Sequence, residues 1–570
     1  MLGMPCPLVA KSRERVAARE LQDDPPGGFS LENYDVQLAE LCEQKETERS
    51  LGQCIKEEWP LILCSVGFST AIIMEGYSMA LITGLFAFDT FRNDFGHRNN
   101  GHMEIPYICM VSLPLMAQIG QQIGIAVSST MINRIGFRRT QLVCLLASSA
   151  LTLIPFFAKS ANTLIAAFLL QGIPWGIYQV TGPGYSADVA SLKLRPILLA
   201  SNNLAWALGQ LVGSISLFFF QRVQGSYSYK GPFAIQWLFC GVLIIWTLLV
   251  PETSYWEIQH GKFRQARRSL KKLLWGSSAE RLDEKMAQLA HNVHQERRRR
   301  SQVAEAQEAA HGGRRTLRQR MSVFSGVDLR RTEIAVLTWV IQASCGSALA
   351  PWCPVFLRRA GLSTDQAFQT NMAMCGLAVI GTLCSWFLMS YAGRRIIYAS
   401  GLAILSVTLA VLGGLGFHRG LSGWISGGIL IFIGLVYQLT VGPFCYSIVA
   451  EMPSITLRPQ TLAIARFCYN IVGMAQHVLI PKMLMESQWN LGPKTGLPFA
   501  ATAFLGLLYT LARMPETKGI SPRQLDILFE NGVSARHFSA ERATRLGAEA
   551  RPAVKEQSPP AAPVVGSSPA

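Results

Sequence analysis

DVASLKLR at residues 188–195 and EMPSITLR at 451–458 are two versions of one octapeptide. Each opens on an acid, closes on an arginine seven positions later and follows directly on a long apolar run. A glycine-arginine turn lies upstream of each copy, Gly136 to Arg139 in the first and Gly393 to Arg395 in the second. Charge that recurs at matching exits from apolar runs marks two similar halves, each returning the chain to the same side of a membrane. A soluble enzyme has no reason to keep that arrangement.

Composition agrees. Half of the 570 residues are apolar and only 15% are charged, with a mean hydropathy of +0.25, too oily for a chain that presents a charged surface to water. Apolar segments near the roughly 20 residues needed to cross a bilayer recur along the chain. Twelve stand out, at residues 59–88, 107–132, 142–157, 162–181, 198–220, 233–250, 332–356, 371–391, 396–416, 424–450, 461–484 and 498–511. They predict an all-α membrane protein, twelve transmembrane helices in two six-helix bundles around a central cavity. The same pattern divides the chain into an N-terminal tail (1–57), a first bundle (58–251), a central loop (252–331), a second bundle (332–514) and a C-terminal tail (515–570). Disorder is expected beyond about residue 550, where Pro, Ala and Ser dominate. The thirteen cysteines are scattered without disulfide or zinc spacing, and the polar first 57 residues carry no signal-peptide core.

Charge sets the expected orientation. The net charge of +16 is neither spread over a face nor mixed with aromatics, so nucleic acid is not the implied partner. Eighteen Lys and Arg fall between residues 251 and 331, among them the run Arg297 to Arg300 together with Arg314, Arg315, Arg318 and Arg320. The positive-inside rule makes this loop and both termini cytoplasmic, and the lipid bilayer, with its anionic inner leaflet, is the natural neighbour of the arginine run. Arg222, Lys230, Arg358, Arg359 and Arg419 run against the rule. Residues 270–289 of the central loop mix Leu, Lys, Glu and Ala as short helices under a membrane do.

Several motifs stand in order along residues 58–530. PETSYW (251–256) is followed by Gly261-Lys262 and Ala266-Arg267, and PETKG (515–519) follows the last span; AGLSTDQAF (360–368) and GIPWG (172–176) complete the set. Together they resemble the sugar porter family of the major facilitator superfamily and, within it, the fungal-type maltose and general alpha-glucoside permeases. The resemblance implies the major facilitator fold, no enzymatic activity, no cofactor and no metal. It implies a plasma-membrane carrier that moves a sugar, an alpha-glucoside or another disaccharide, by alternating access and with protons.

It also nominates positions. Asn203 stands where the family has a span-five glutamine, Gln342 matches the first of its paired span-seven glutamines, Tyr446 takes the place of a span-ten stacking tryptophan, and Tyr469 with Asn470 match its span-eleven pair. Ala343 and Ala348 replace expected amides, which suits a substrate larger or less polar than a hexose. Amides of this kind also bond neighbouring helices, a contact worth about 0.6 kcal/mol on average, and Gln179 and Gln438 rank below the chosen five. Arg138, Arg139, Asp188, Arg195, Arg394, Arg395, Glu451 and Arg458 form the expected cytoplasmic charge latch, exchangeable for water at about 0–1 kcal/mol per exposed pair. Topology alone is the rival reading for these arginines.

Energy coupling departs from the family. Its span-one aspartate is Ser78 here and its span-four arginine is Phe168, and a serine binds no proton near neutral pH. Glu75, three residues before Ser78 on nearly the same helical face, is the candidate proton carrier, because a carboxylate within a span is costly enough to imply a task. With that carrier in doubt, a non-transporting sugar receptor and an exporter of a non-sugar amphiphile stay open as alternatives.

Overall fold

The computed structural model describes residues 34–545 except 100–101, 192, 312–325, 419–422, 454–457, 486, 519, 521, 540 and 543–544. Twelve helices among the described residues are long and apolar enough to cross a membrane. In order, spans 1 to 6 are Trp59–Ala87, Tyr107–Ile135, Phe137–Phe157, Ala161–Val189, Ile197–Phe220 and Tyr227–Leu249. Spans 7 to 12 are Gly326–Arg359, Thr364–Met389, Arg394–Leu415, Gly423–Glu451, Gln460–Leu484 and Gly492–Arg513. Each apolar run becomes a helix because hydrocarbon offers backbone N–H and C=O groups no partner, and a helix pairs them within one segment.

Packing repeats with a shift of six. Spans 2 and 4, 1 and 5, and 3 and 6 pair in the first bundle, and spans 8 and 10, 7 and 11, and 9 and 12 pair in the second. The contacts across the bundle interface, 5 with 8 and 11 with 2, obey the same shift. The halves announced by the two octapeptides are therefore halves in space.

Close approach of spans 2 and 4 explains the GIPWG motif. Gly120 and Gly124 face Gly172 and Gly176, and a Cβ at any of the four would strike the opposite backbone. Without a hydrophobic force between helices in lipid, such small-residue faces let backbones meet and gain dispersion. Gly172→Leu is expected to cost about 3 kcal/mol or more by overpacking. Thermal melting of the purified protein checks this, with the lipid-facing Leu146→Ala as the control that leaves the melting temperature nearly unchanged.

Four spans are interrupted, span 3 by a change of helix at Thr152. Span 1 changes helix at Thr70, span 7 breaks at Gly346, whose φ of +97° suits glycine, and span 10 breaks at Thr440. Discontinuous helices expose backbone groups, which membrane proteins tolerate where the segment lines a cavity.

Four features depart from the sequence reading. A two-stranded hairpin, His97–Asn99 with His102–Glu104, sits between spans 1 and 2 in an otherwise helical chain. The central segment holds helices Ser254–Gln259 and Phe263–Leu273 and then one helix of 33 residues, Ala279–His311, in place of short pieces. The N-terminal tail is helical over Val36–Glu48 and Leu51–Glu57. Helix Val36–Glu48 lies on the long central helix, joined by Lys45 to Glu284 at 2.5 Å and by Lys285 to Glu46. Expectations for Arg314, Arg315, Arg318, Arg320, Arg419 and the stretch beyond residue 550 lie outside the described residues.

Candidate functional site

Broken spans 1, 7 and 10 converge on one polar centre. Glu75, in the second helix of span 1 and 6% exposed, accepts a hydrogen bond from Gln179 Nε2 of span 4 at 2.5 Å. Gln179 Oε1 in turn accepts one from Arg466 Nη2 of span 11 at 2.7 Å. The amide therefore links a carboxylate in one bundle to a guanidinium in the other. Arg466 also stands 4.7 Å from the Tyr469 ring centroid and 5.5 Å from that of Trp339, with Tyr446 beside it. Trp339 of span 7 meets Tyr446 and Tyr469 at 6.3 Å each. Cation–π contact stabilises a charge that has left water.

The sugar candidates surround this centre. Tyr446 and Tyr469 flank Trp339. Gln342, one helical turn beyond Trp339, donates to Gly442 O at 3.2 Å and keeps a buried Oε1 without a partner. Asn470 accepts from Gln118 of span 2 at 3.1 Å, and its buried Nδ2 is likewise unpartnered. Asn203 donates to Gln438 Oε1 at 3.1 Å, which joins span 5 to span 10 next to Gly442. Each unmet buried group costs about 1–3 kcal/mol, a cost that hydroxyls of a bound sugar can relieve. Gln179 and Gln438, ranked low on sequence, both join the bundles here, and Arg466 was missed.

Ser78 and Phe168 are accounted for locally. The Ser78 hydroxyl donates to Met74 O at 2.7 Å, and Phe168 packs on Phe233 at 6.2 Å. The charge absent from span 4 is supplied by span 11.

At the end of the bundles that carries the central segment, the proposed latch residues stay within their own halves. Glu252 Oε1 and Oε2 accept the N–H groups of Phe137 and Arg138 at 2.9 and 3.0 Å, while Glu516 does the same for Arg394 and Arg395 at 2.8 and 3.2 Å. Each proline-glutamate motif thus caps the first turn of span 3 or span 9, where free N–H groups and the helix dipole favour an anion. Arg138 returns the favour to span 6 through Thr247 O and Leu248 O, and Arg395 to span 12 through Leu511 O at 2.7 Å. Glu451 pairs with Arg394 at 3.4 Å, and Asp188 lies beside Arg195 and Thr253. Arg139 is exposed, and the Arg458 side chain lies outside the described residues. None of these contacts crosses between the bundles.

At the far end they do cross. Arg358 reaches Asp89 at 3.0 Å and the Ala87 carbonyl, and Arg222 reaches Asp365 at 2.8 Å. Phe86 stacks on Trp352 at 5.8 Å and Phe88 meets Phe368 edge-on at 5.4 Å. Two of the arginines that violate the charge bias of the loops are the ones that close this end.

Comparison with known proteins decides the family. The family model described as "Sugar (and other) transporter" matches residues 63–529. The chain belongs to this family. It is 33% identical to the general alpha-glucoside permease of Saccharomyces cerevisiae over 503 residues, 87% of this chain and 79% of that protein. To the maltose permease MAL61 of the same yeast it is 30% identical over 523 residues, 89% of this chain and 82% of that one. The solved structure of the proton:xylose symporter XylE bound to 6-bromo-6-deoxy-D-glucose superposes with a TM-score of 0.65 at 19% identity, covering 83% of this chain and 99% of that one. An inward-open XylE from E. coli gives 0.62 over 82% and 99%. These likenesses establish the major facilitator fold.

Proposed function

We propose that this sugar transporter carries an alpha-glucoside such as maltose across the plasma membrane together with a proton. The observation that carries the reading is the string Glu75–Gln179–Arg466. A carboxylate and a guanidinium inside a membrane are expensive, and their joint presence between two bundles marks a working site. Sugars need amide and hydroxyl partners and an aromatic face for their C–H surfaces; Asn203, Gln342, Asn470, Tyr446, Tyr469 and Trp339 supply both kinds. The names of the relatives support an alpha-glucoside.

The cycle follows from the charges. Ionised Glu75 balances Arg466 through the Gln179 amide. A proton on Glu75 removes that balance, weakens the tie between bundles and leaves the centre with one net positive charge. Moving that charge inward draws about 2.3 kcal/mol per 100 mV from the membrane potential. Sugar entering the cleft supplies hydroxyls to Gln342 and Asn470 and lets the bundles rock with the proton enclosed.

The eighteen basic residues of the central segment support a cytoplasmic placement of that end and of both termini. On that orientation the far-end contacts form an outer gate, closed in this conformation, and Asp188, Glu451 and their arginines form the inner latch that engages when the outer gate opens. Arg222→Ala with Arg358→Ala is expected to shift the balance toward the outward-facing state by up to about 30-fold, from two pairs worth about 0–1 kcal/mol each. A cysteine placed at Asn371, buried between spans 5 and 8, then reacts faster with an impermeant maleimide; an unchanged rate removes the gate assignment.

The functional test is uptake of labelled maltose and labelled glucose into cells lacking their own transporters, at two external pH values. Maltose uptake that rises at acid pH supports the reading. Uptake of neither sugar returns the weight to a receptor or an exporter.

A further inference from the structure

A second polar cavity, of about 390 Å³, opens at the central-segment end of the first bundle, away from the sugar site. Its volume falls within the range of small-molecule pockets, about 300–1,000 Å³. Four cationic side chains line it, Arg138, Arg139, Lys262 and Arg268, with Glu252 and Glu257 as the acids. Arg138 is committed to the carbonyl end of span 6 and Glu252 to three backbone N–H groups. Burial pushes the Glu257 carboxyl up to about 7, so it opposes an anion only partly at neutral pH. Lys262 Nζ stands 4.8 Å from the Trp256 ring centroid, held over an aromatic face at the cavity wall. Four cations against two carboxylates leave the lining formally positive, with Lys262 acting on Glu257 across it.

Two observations indicate what fills it. Span 3, which leaves the cavity past Leu142, turns Val143 and Leu146 outward at 48% and 59% exposure, and span 6 turns Ile245 and Leu249 outward at 63% and 69%. These faces look into hydrocarbon, so the cavity sits where a basic pocket meets an acyl-chain surface at the edge of the bilayer. Basic pockets in that position recognise phosphate-bearing headgroups. We propose that the cavity binds the phosphate of an anionic membrane lipid, through Arg139, Lys262 and Arg268, with the acyl chains lying along spans 3 and 6. Because Glu252 and Arg138 on its wall also fasten span 3 to span 6, an occupied cavity stiffens the first bundle where the inner latch has to engage.

Native mass spectrometry of the full-length protein with dioctanoyl phosphatidylinositol 4-phosphate tests this, dioctanoyl phosphatidylcholine being the neutral comparison. Lys262→Gln with Arg268→Gln is expected to weaken retention of the phosphorylated lipid about 30-fold, roughly fivefold for each cation. Arg536→Gln with Lys56→Gln, exposed basic residues outside the cavity, leaves it unchanged. If the doubly neutralised protein fails to fold, Arg139→Gln carries the same test with about a fivefold loss, and Lys262→Arg with Arg268→Lys retains binding. Equal retention by the neutralised and native proteins overturns the site, as does an equal loss in the exterior control. Full displacement by inorganic phosphate alone overturns the lipid assignment.

Discussion

Arg466→Gln is expected to abolish accumulation of labelled maltose while leaving the protein at the cell surface. The substitution removes the donor to Gln179 and the cation over Tyr469 and Trp339, and it leaves Glu75 without its countercharge. Breaking one side of a buried charge pair costs about 3–5 kcal/mol, which corresponds to a fall in transport rate of about 100-fold or more at 1.36 kcal/mol per decade. Arg466→Lys keeps the charge but loses the planar fork that serves amide and aromatic rings together, so partial activity is expected from it. Initial rates normalised to surface protein decide the matter. Near-native rates in the glutamine variant would remove Arg466 from the working centre.

Glu75→Gln carries the second large effect. A neutral amide preserves size and a hydrogen bond to Gln179 but can neither take up nor release a proton. One charge moving through 100 mV supports about a 50-fold sugar gradient, from 2.3 kcal/mol at 1.36 kcal/mol per decade. The variant is expected to bring internal and external maltose to equal concentrations and no further, at a rate independent of external pH. Accumulation above equality, or a retained acid optimum, would mean that the proton travels elsewhere.

Why Glu75 was legible and Arg466 was not is instructive. Twelve apolar runs and two charged octapeptides carry fold and symmetry locally, within windows that a reader can scan. Glu75 drew notice as an acid in a span. Arg466 is equally out of place among apolar neighbours, but the family pattern directs attention to span 4, where Phe168 now packs against Phe233. The rule that ionisable residues inside membranes have tasks would have found it unaided. Gln179 could not be ranked from sequence, because its importance comes from bridging residues 104 and 287 positions away in the chain.

The same distance effect hid other features. Helix Val36–Glu48 has a mixed, polar sequence whose partner surface, near Glu284 and Gln288, lies more than 230 residues away. Glu252 and Glu516 were recognised as members of a motif, yet their use as caps for spans 3 and 9 needs the fold that brings the chain back beside those helix starts. Arg222 and Arg358 looked like noise against the charge bias because their acids, Asp365 and Asp89, sit on the opposite bundle. Local hydropathy reads spans well; it is silent on which charges meet across a cleft.

Proton movement driven by sugar is the most direct test of the account. Purified protein in liposomes loaded with a fluorescent pH indicator, given maltose outside, is predicted to acidify the lumen, with no response to mannitol and none from Glu75→Gln. Maltose entry without acidification, or acidification that survives Glu75→Gln, would contradict a shared passage for sugar and proton at the Glu75–Gln179–Arg466 centre.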